Sequence, residues 1–168
     1  MDDIEWLSIY KKDLQRYSLE QLRYISAEGV WSLGQMYDHV IVVAHEYLDM
    51  IDTCAIQNEE QRLGKTEFAE SMFQNKAFPP IKIRLPDELN TPPRNPESKE
   101  ETMDRLNQLL QRLKDLRETV DEVNPHYKAK HDGFGWLNAR EWYDLVGMHS
   151  RHHLRQKHEL EQTLRTNA

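Results

Sequence analysis

The chain has 168 residues, a formal net charge of −7, and 38% hydrophobic against 30% charged residues. That length predicts a single domain over 1–168 with enough chain to bury a core. The acidic balance excludes a nucleic-acid footprint, and no apolar run approaches the ~20 residues needed to span a bilayer. The start, Met1-Asp2-Asp3-Ile4-Glu5, lacks the basic and apolar regions of a signal peptide. A single cysteine, Cys54, excludes an internal disulfide, so a cytoplasmic setting is expected. Ile51 and Ala55 beside it predict a buried, inert thiol.

A first long helix is predicted from Asp2 to about Arg16, with Ile4, Leu7 and Leu14 at helical spacing. Ser18-Leu19-Glu20-Gln21 restarts a short helical turn that ends before Gly29. Ser32-Leu33-Gly34-Gln35 reads as a capping box opening the second long helix. Two apolar rows run along that helix, one through Met36, Val40 and Val43, the other through Tyr37, Ile41 and Ala44. A helix this broadly apolar packs on more than one side.

Residues from about 60 to 97 carry Phe78-Pro79-Pro80, Pro86, Pro92-Pro93 and Pro96, and read as an extended crossover. Ile81-Lys82-Ile83-Arg84-Leu85 within it is too short to change the fold class. A third long helix opens on Ser98-Lys99-Glu100-Glu101, a further capping box, and stops at Asn124-Pro125. His126 to Leu137 reads as a loop. The fourth long helix opens at Asn138, with Glu141 three residues on, and runs to about Leu164. The predicted fold is all-α, an antiparallel four-helix bundle with a long Pro-rich crossover between the second and third long helices.

His149 and His153 lie four residues apart on the apolar stripe of the fourth helix, with Trp142, Leu145, Val146, Leu160 and Leu164. Two imidazoles in such a seam need partners, because an unpaired buried polar group costs roughly 1–3 kcal/mol. A divalent metal would use both at once, and zinc or nickel suits imidazole ligands. His39, one turn into the second long helix, is the best third ligand. Glu46, at i+7 from His39, shares its face and is a candidate fourth ligand or general base. Gln35 and Gln156 are placed to support the ligating rings. His45 lies on another face of its helix. His152 is read as pointing to the basic flank of Arg151, Arg155 and Lys157, itself a solvated outer face. His126 and His131 are read as loop residues and His158 as a surface one. By spacing alone, a metal site and a pair of core histidines weigh about equally.

Three segments together resemble the DinB-like (DinB/YfiT-type) superfamily of four-helix-bundle proteins. These are Trp31-Ser32-Leu33-Gly34-Gln35-Met36-Tyr37-Asp38-His39-Val40, then Phe78-Pro79-Pro80-Ile81-Lys82-Ile83, and Phe134-Gly135-Trp136-Leu137-Asn138-Ala139-Arg140-Glu141-Trp142 leading into His149-Ser150-Arg151-His152-His153-Leu154-Arg155-Gln156. The likeness spans about residues 2 to 164. It implies that His39, His149 and His153 are metal ligands. It also implies a metal-dependent transferase using a low-molecular-weight thiol, or a metal-dependent hydrolase, and a homodimer formed through bundle helices.

An enzyme of this kind would bind a small-molecule substrate and take its nucleophilic sulfur from the cosubstrate. That suits a chain whose lone cysteine is predicted buried. The competing class is a non-catalytic metal-binding protein of stress response or interaction, favoured if a residue such as Glu46 closes the coordination sphere. The enzyme reading is the stronger expectation, with thiol transfer narrowly ahead of hydrolysis.

Overall fold

Reciprocal capping fixes where the helices begin in the computed structural model, which describes residues 2–80 and 91–166. Asp2, Ser18 and Ser32 each accept the backbone N–H three residues on, and Glu5, Gln21 and Gln35 reach back to the cap backbone. These boxes open α1 (Asp3–Leu14), α2 (Leu19–Arg23) and α3 (Leu33–Ala55). Each is worth ~1 kcal/mol. Asn138 and Glu141 make the same exchange, at 2.9 and 3.0 Å, ahead of α6 (Ala139–Thr166). The box expected at α5 (Lys99–Thr119) is half formed. Ser98 accepts the Glu101 N–H at 3.0 Å, but the Glu101 carboxylate is taken by Arg94.

The described residues are mostly helical, as expected, with one two-stranded sheet among them. α3 and α6 share the largest interface, α6 also packs on α1, and α5 packs on both α1 and α3. Buried side chains from all four meet in one core, among them Leu7, Tyr10, Met36, Leu48, Leu106, Leu109, Trp142 and Leu145. Cross-helix contacts give the directions. His39 meets His153 and Tyr47 meets Trp142, so α3 and α6 run antiparallel. Arg105 pairs with Asp38 and Arg112 with Asp49, so α3 and α5 run parallel. Tyr10 donates to the Ser150 carbonyl, and Lys157 pairs with Asp13, so α1 and α6 are parallel too. The arrangement therefore differs from a wholly antiparallel one. Parallel neighbours need a connection that returns along the helix length, which is why the chain between α3 and α5 is long.

That connection is not simply extended. It holds α4 (Glu67–Asn75), capped by Thr66 and closed by Lys76 in the left-handed region at φ 53°. Ile81 to Leu85 and Pro86 lie outside the described residues. Beyond them, Asn95 accepts the Ser32 hydroxyl at 2.7 Å, and the Gln35 amide donates to the Pro93 carbonyl at 3.0 Å. The crossover is thus stapled to the start of α3. Gly34 permits this, because a Cβ there would sit 2.3 Å from the Pro96 ring.

The expected loop 126–137 is instead a hairpin of β1 (Lys128–His131) and β2 (Gly135–Asn138), paired antiparallel. Strands of four residues are too short to show a period in sequence. Residues 64–66 bind its edge, with the Trp136 N–H on the Gly64 carbonyl at 3.0 Å and the Thr66 N–H on the Phe134 carbonyl at 2.9 Å. Gly135, at φ 84°, is required there, since a Cβ would lie 2.7 Å from the Gly64 oxygen. Among the described residues no helix is long and apolar enough to cross a membrane.

Candidate metal centre

The antiparallel crossing of α3 and α6 brings His39, His149 and His153 together, each offering one ring nitrogen within 4.8 Å of the others. His149 Nε2 lies 3.2 Å from His39 Nε2 and 3.1 Å from His153 Nε2. Two nitrogens at the usual zinc distance on tetrahedral angles stand about 3.3 Å apart, so the observed spacing fits one shared cation. Hydrogen bonding among the rings does not account for it equally well. A neutral imidazole carries one proton, so His149 Nε2 can donate to one neighbour at most.

Electrostatics keep the rings neutral. Burial drives the His149 pKa well below the ordinary imidazole value, reinforced by His153, His39 and His152. Burial also pushes His153 down to about 4, against the opposing contact with Gln156. His39 is lowered by burial, with Asp38 opposing. Neutral rings present lone pairs, which is the form a metal takes.

Neighbours fix the ring orientations. Gln156 Oε1 lies 2.8 Å from His153 Nδ1, so Nδ1 carries the hydrogen and Nε2 is free to ligate. This matches the support expected of Gln156. Gln35 does not share that role: its side chain is spent on the Ser32 cap and on Pro93. Trp31 packs on His39 with ring centroids 5.2 Å apart, and Tyr47 and Phe78 stand edge-on to His149 at 5.9 and 5.8 Å. Burial raises the Tyr47 phenol, which stays protonated.

The three histidines form the group that can hold an ion among the described residues, and Glu46 is not part of it. Glu46 is exposed on α3. His152 does not face a basic flank; it is half-buried, 5.5 Å from the Phe78 ring and 5.3 Å from His153. Lys157 is buried too, paired with Asp13 and Glu161, and so leaves the expected solvated face. His131 is on β1, stacked on Phe134 at 4.0 Å, and is no free loop residue. His126 and His158 are exposed, as read from sequence, and half-buried His45 faces Arg112, away from the cluster. The crossover 60–97 and the loop 126–137 are the walls expected from sequence, and Phe78 of the crossover does stand against His149; Trp31 and Tyr47 were not anticipated there. For Trp31 and Tyr47 the advance signal was an aromatic residue about two helical turns from His39; Phe78, in the crossover, had no such signal.

Cys54 is buried, and burial pushes its thiol up to about 11. It lies 3.6 Å from the Leu137 carbonyl, outside the cluster.

Fold and site define a mostly helical protein whose three clustered histidines can hold a metal ion. A model of the DinB superfamily matches residues 10–156, and the chain belongs to that superfamily. No curated protein and no solved structure matches it.

Proposed function

We propose that this protein is a cytoplasmic, metal-dependent enzyme in which His39, His149 and His153 hold one divalent ion, zinc or nickel, through Nε2. The convergence of three neutral Nε2 atoms from two helices carries the proposal. We read the helical arrangement as a four-helix bundle that assembles as a homodimer, a state that sedimentation checks.

An ion held by His39, His149 and His153 would lower the pKa of a bound thiol or water and so supply a nucleophile near neutral pH. The chain's own residues do the rest. Gln156 holds the His153 tautomer, and Trp31, Tyr47 and Phe78 limit water around the ligating rings. Cys54, buried and protonated, is unsuited to be the nucleophile. The superfamily resemblance implies that the sulfur comes from a low-molecular-weight thiol and that the reaction is S-transfer to a small molecule, which a buried Cys54 suits. Glu46 is a general base only for a substrate that reaches its exposed turn. Glu46→Gln tests this, since a base role lowers kcat without changing metal content.

Cobalt-loaded protein titrated with a small thiol tests the main reading. A sulfur-to-cobalt charge-transfer band supports thiol transfer. Its absence, together with turnover of an ester or amide, replaces that reading with hydrolysis. Stoichiometric metal with neither band nor turnover supports a non-catalytic binding protein.

A further inference from the structure

Five aromatic side chains close a circuit of ring contacts with His149. Tyr47 lies 5.9 Å from His149 and 5.8 Å from Trp142, centroid to centroid. Trp142 lies 5.8 Å from His131, which stacks on Phe134 at 4.0 Å. Phe134 lies 5.9 Å from Phe78, and Phe78 returns to His149 at 5.8 Å. Flat apolar faces are thus gathered next to the three-histidine cluster.

One buried hydrogen-bond donor in this circuit lacks an acceptor. Trp142 is 2% exposed, and its Nε1 is buried with no hydrogen-bond partner. An indole nitrogen can only donate, and leaving it unpaired in a core costs roughly 1–3 kcal/mol. Its ring neighbour His131 cannot serve it. His131 Nδ1 accepts the Gly133 and Phe134 N–H groups at 2.9 and 3.1 Å, which puts the hydrogen on Nε2 and makes that atom a second donor. Flat faces around one unsatisfied buried donor suit a flat ligand that brings an acceptor.

We propose that this aromatic circuit is a substrate subsite for a neutral planar carbonyl compound, whose oxygen accepts the Trp142 indole N–H. A neutral body suits the setting, because a charge moved into so apolar a lining would pay desolvation without a counter-ion. Phe78 and His131 are the half-buried members, so access lies on their side. The inference deepens the proposed function by naming its substrate class, and it rests on that reading for its place beside the metal.

Benzamide is the probe and toluene, which lacks the acceptor, is its control. Both are titrated into 15N-labelled full-length protein, metal-free and zinc-loaded. The chain has four tryptophans, and Trp142→Phe or contacts to the Tyr47 ring assign the Trp142 indole resonance. Benzamide is expected to move that N–H downfield while toluene does not. Trp142→Phe is expected to weaken benzamide roughly tenfold, the scale of one neutral hydrogen bond. An indole resonance unmoved at the solubility limit of benzamide overturns the proposal. An equal shift with toluene overturns it as well. Zinc loading is read in the same samples. A shift in protein that takes up no zinc keeps the subsite and removes the metal reading, whereas loaded protein with an unmoved indole does the reverse.

Discussion

His149 and His153 stand on successive turns of α6 with their Nε2 atoms 3.1 Å apart, both rings held neutral by burial. Two lone pairs this close repel unless a proton or a cation lies between them. His39 Nε2, 3.2 Å from His149 on the facing helix, completes a cradle that a single cation satisfies at once.

Gln156 sets the ring that brings its lone pair into this cradle. Gln156→Leu removes the acceptor for His153 Nδ1, and zinc affinity is expected to fall roughly 10- to 100-fold. Competition with a chromophoric chelator measures it, and unchanged affinity would show that packing alone orients His153.

The α1–α6 contact is an acid-sensitive joint. Lys157 is 5% exposed and pairs with Asp13 and Glu161, while Tyr17 donates to Glu161. Burial acts to raise the Glu161 carboxyl, but the hydrogen bonds from Lys157 and Tyr17 prevail and its pKa is lowered. A lowered carboxylate contributes stability that is fully present above its unfolded value of 4.5 and is lost as pH falls through the folded one. Denaturant midpoints are expected to drop below that pH, and Glu161→Gln to flatten part of the drop. Lys157→Met leaves Asp13 only Arg16 and Glu161 only Tyr17 as partners and is expected to cost about 2 kcal/mol at neutral pH.

Gly34 tests the staple between crossover and α3. An alanine Cβ would lie 2.3 Å from the Pro96 ring and 2.9 Å from the Leu22 carbonyl. Gly34→Ala is expected to destabilise the protein by about 1–3 kcal/mol, despite alanine's better helix propensity. Thermal unfolding checks the sign, and a stabilised variant would show that Pro96 does not pack there.

Cys54→Ser separates a cosubstrate thiol from a protein nucleophile. With the thiol buried and protonated, the variant is expected to keep its thiol-transfer rate within about twofold while losing ~1 kcal/mol of stability. Loss of turnover in a folded variant would place the nucleophile in the chain.

The three-histidine cluster was legible in sequence because its geometry is local or nearly so. His149 and His153 share a face by helical period alone, and His39 follows from the apolar row it flanks. Caps at Asp2, Ser18, Ser32 and Asn138 were legible for the same reason, since each is decided within four residues. What tertiary contact decides was not legible. The Glu101 half of a capping box was lost to Arg94, and Gln35 was drawn from any role at the site by Pro93. His131 and Phe78 join the site's surroundings through a hairpin and a crossover whose placement depends on residues far away in the chain. The parallel pairing of α3 with α5 likewise rests on Asp38–Arg105 and Asp49–Arg112, contacts with no sequence period.

Elemental mass spectrometry of tag-free protein, with His149→Ala in parallel, bears on the metal site most directly. A cradle of His39, His149 and His153 requires about one equivalent of zinc, nickel or a similar ion in the wild type and its loss in a folded variant. Equal metal in both proteins, or none in either after each ion is offered, would contradict it and return the three histidines to the core as packing residues.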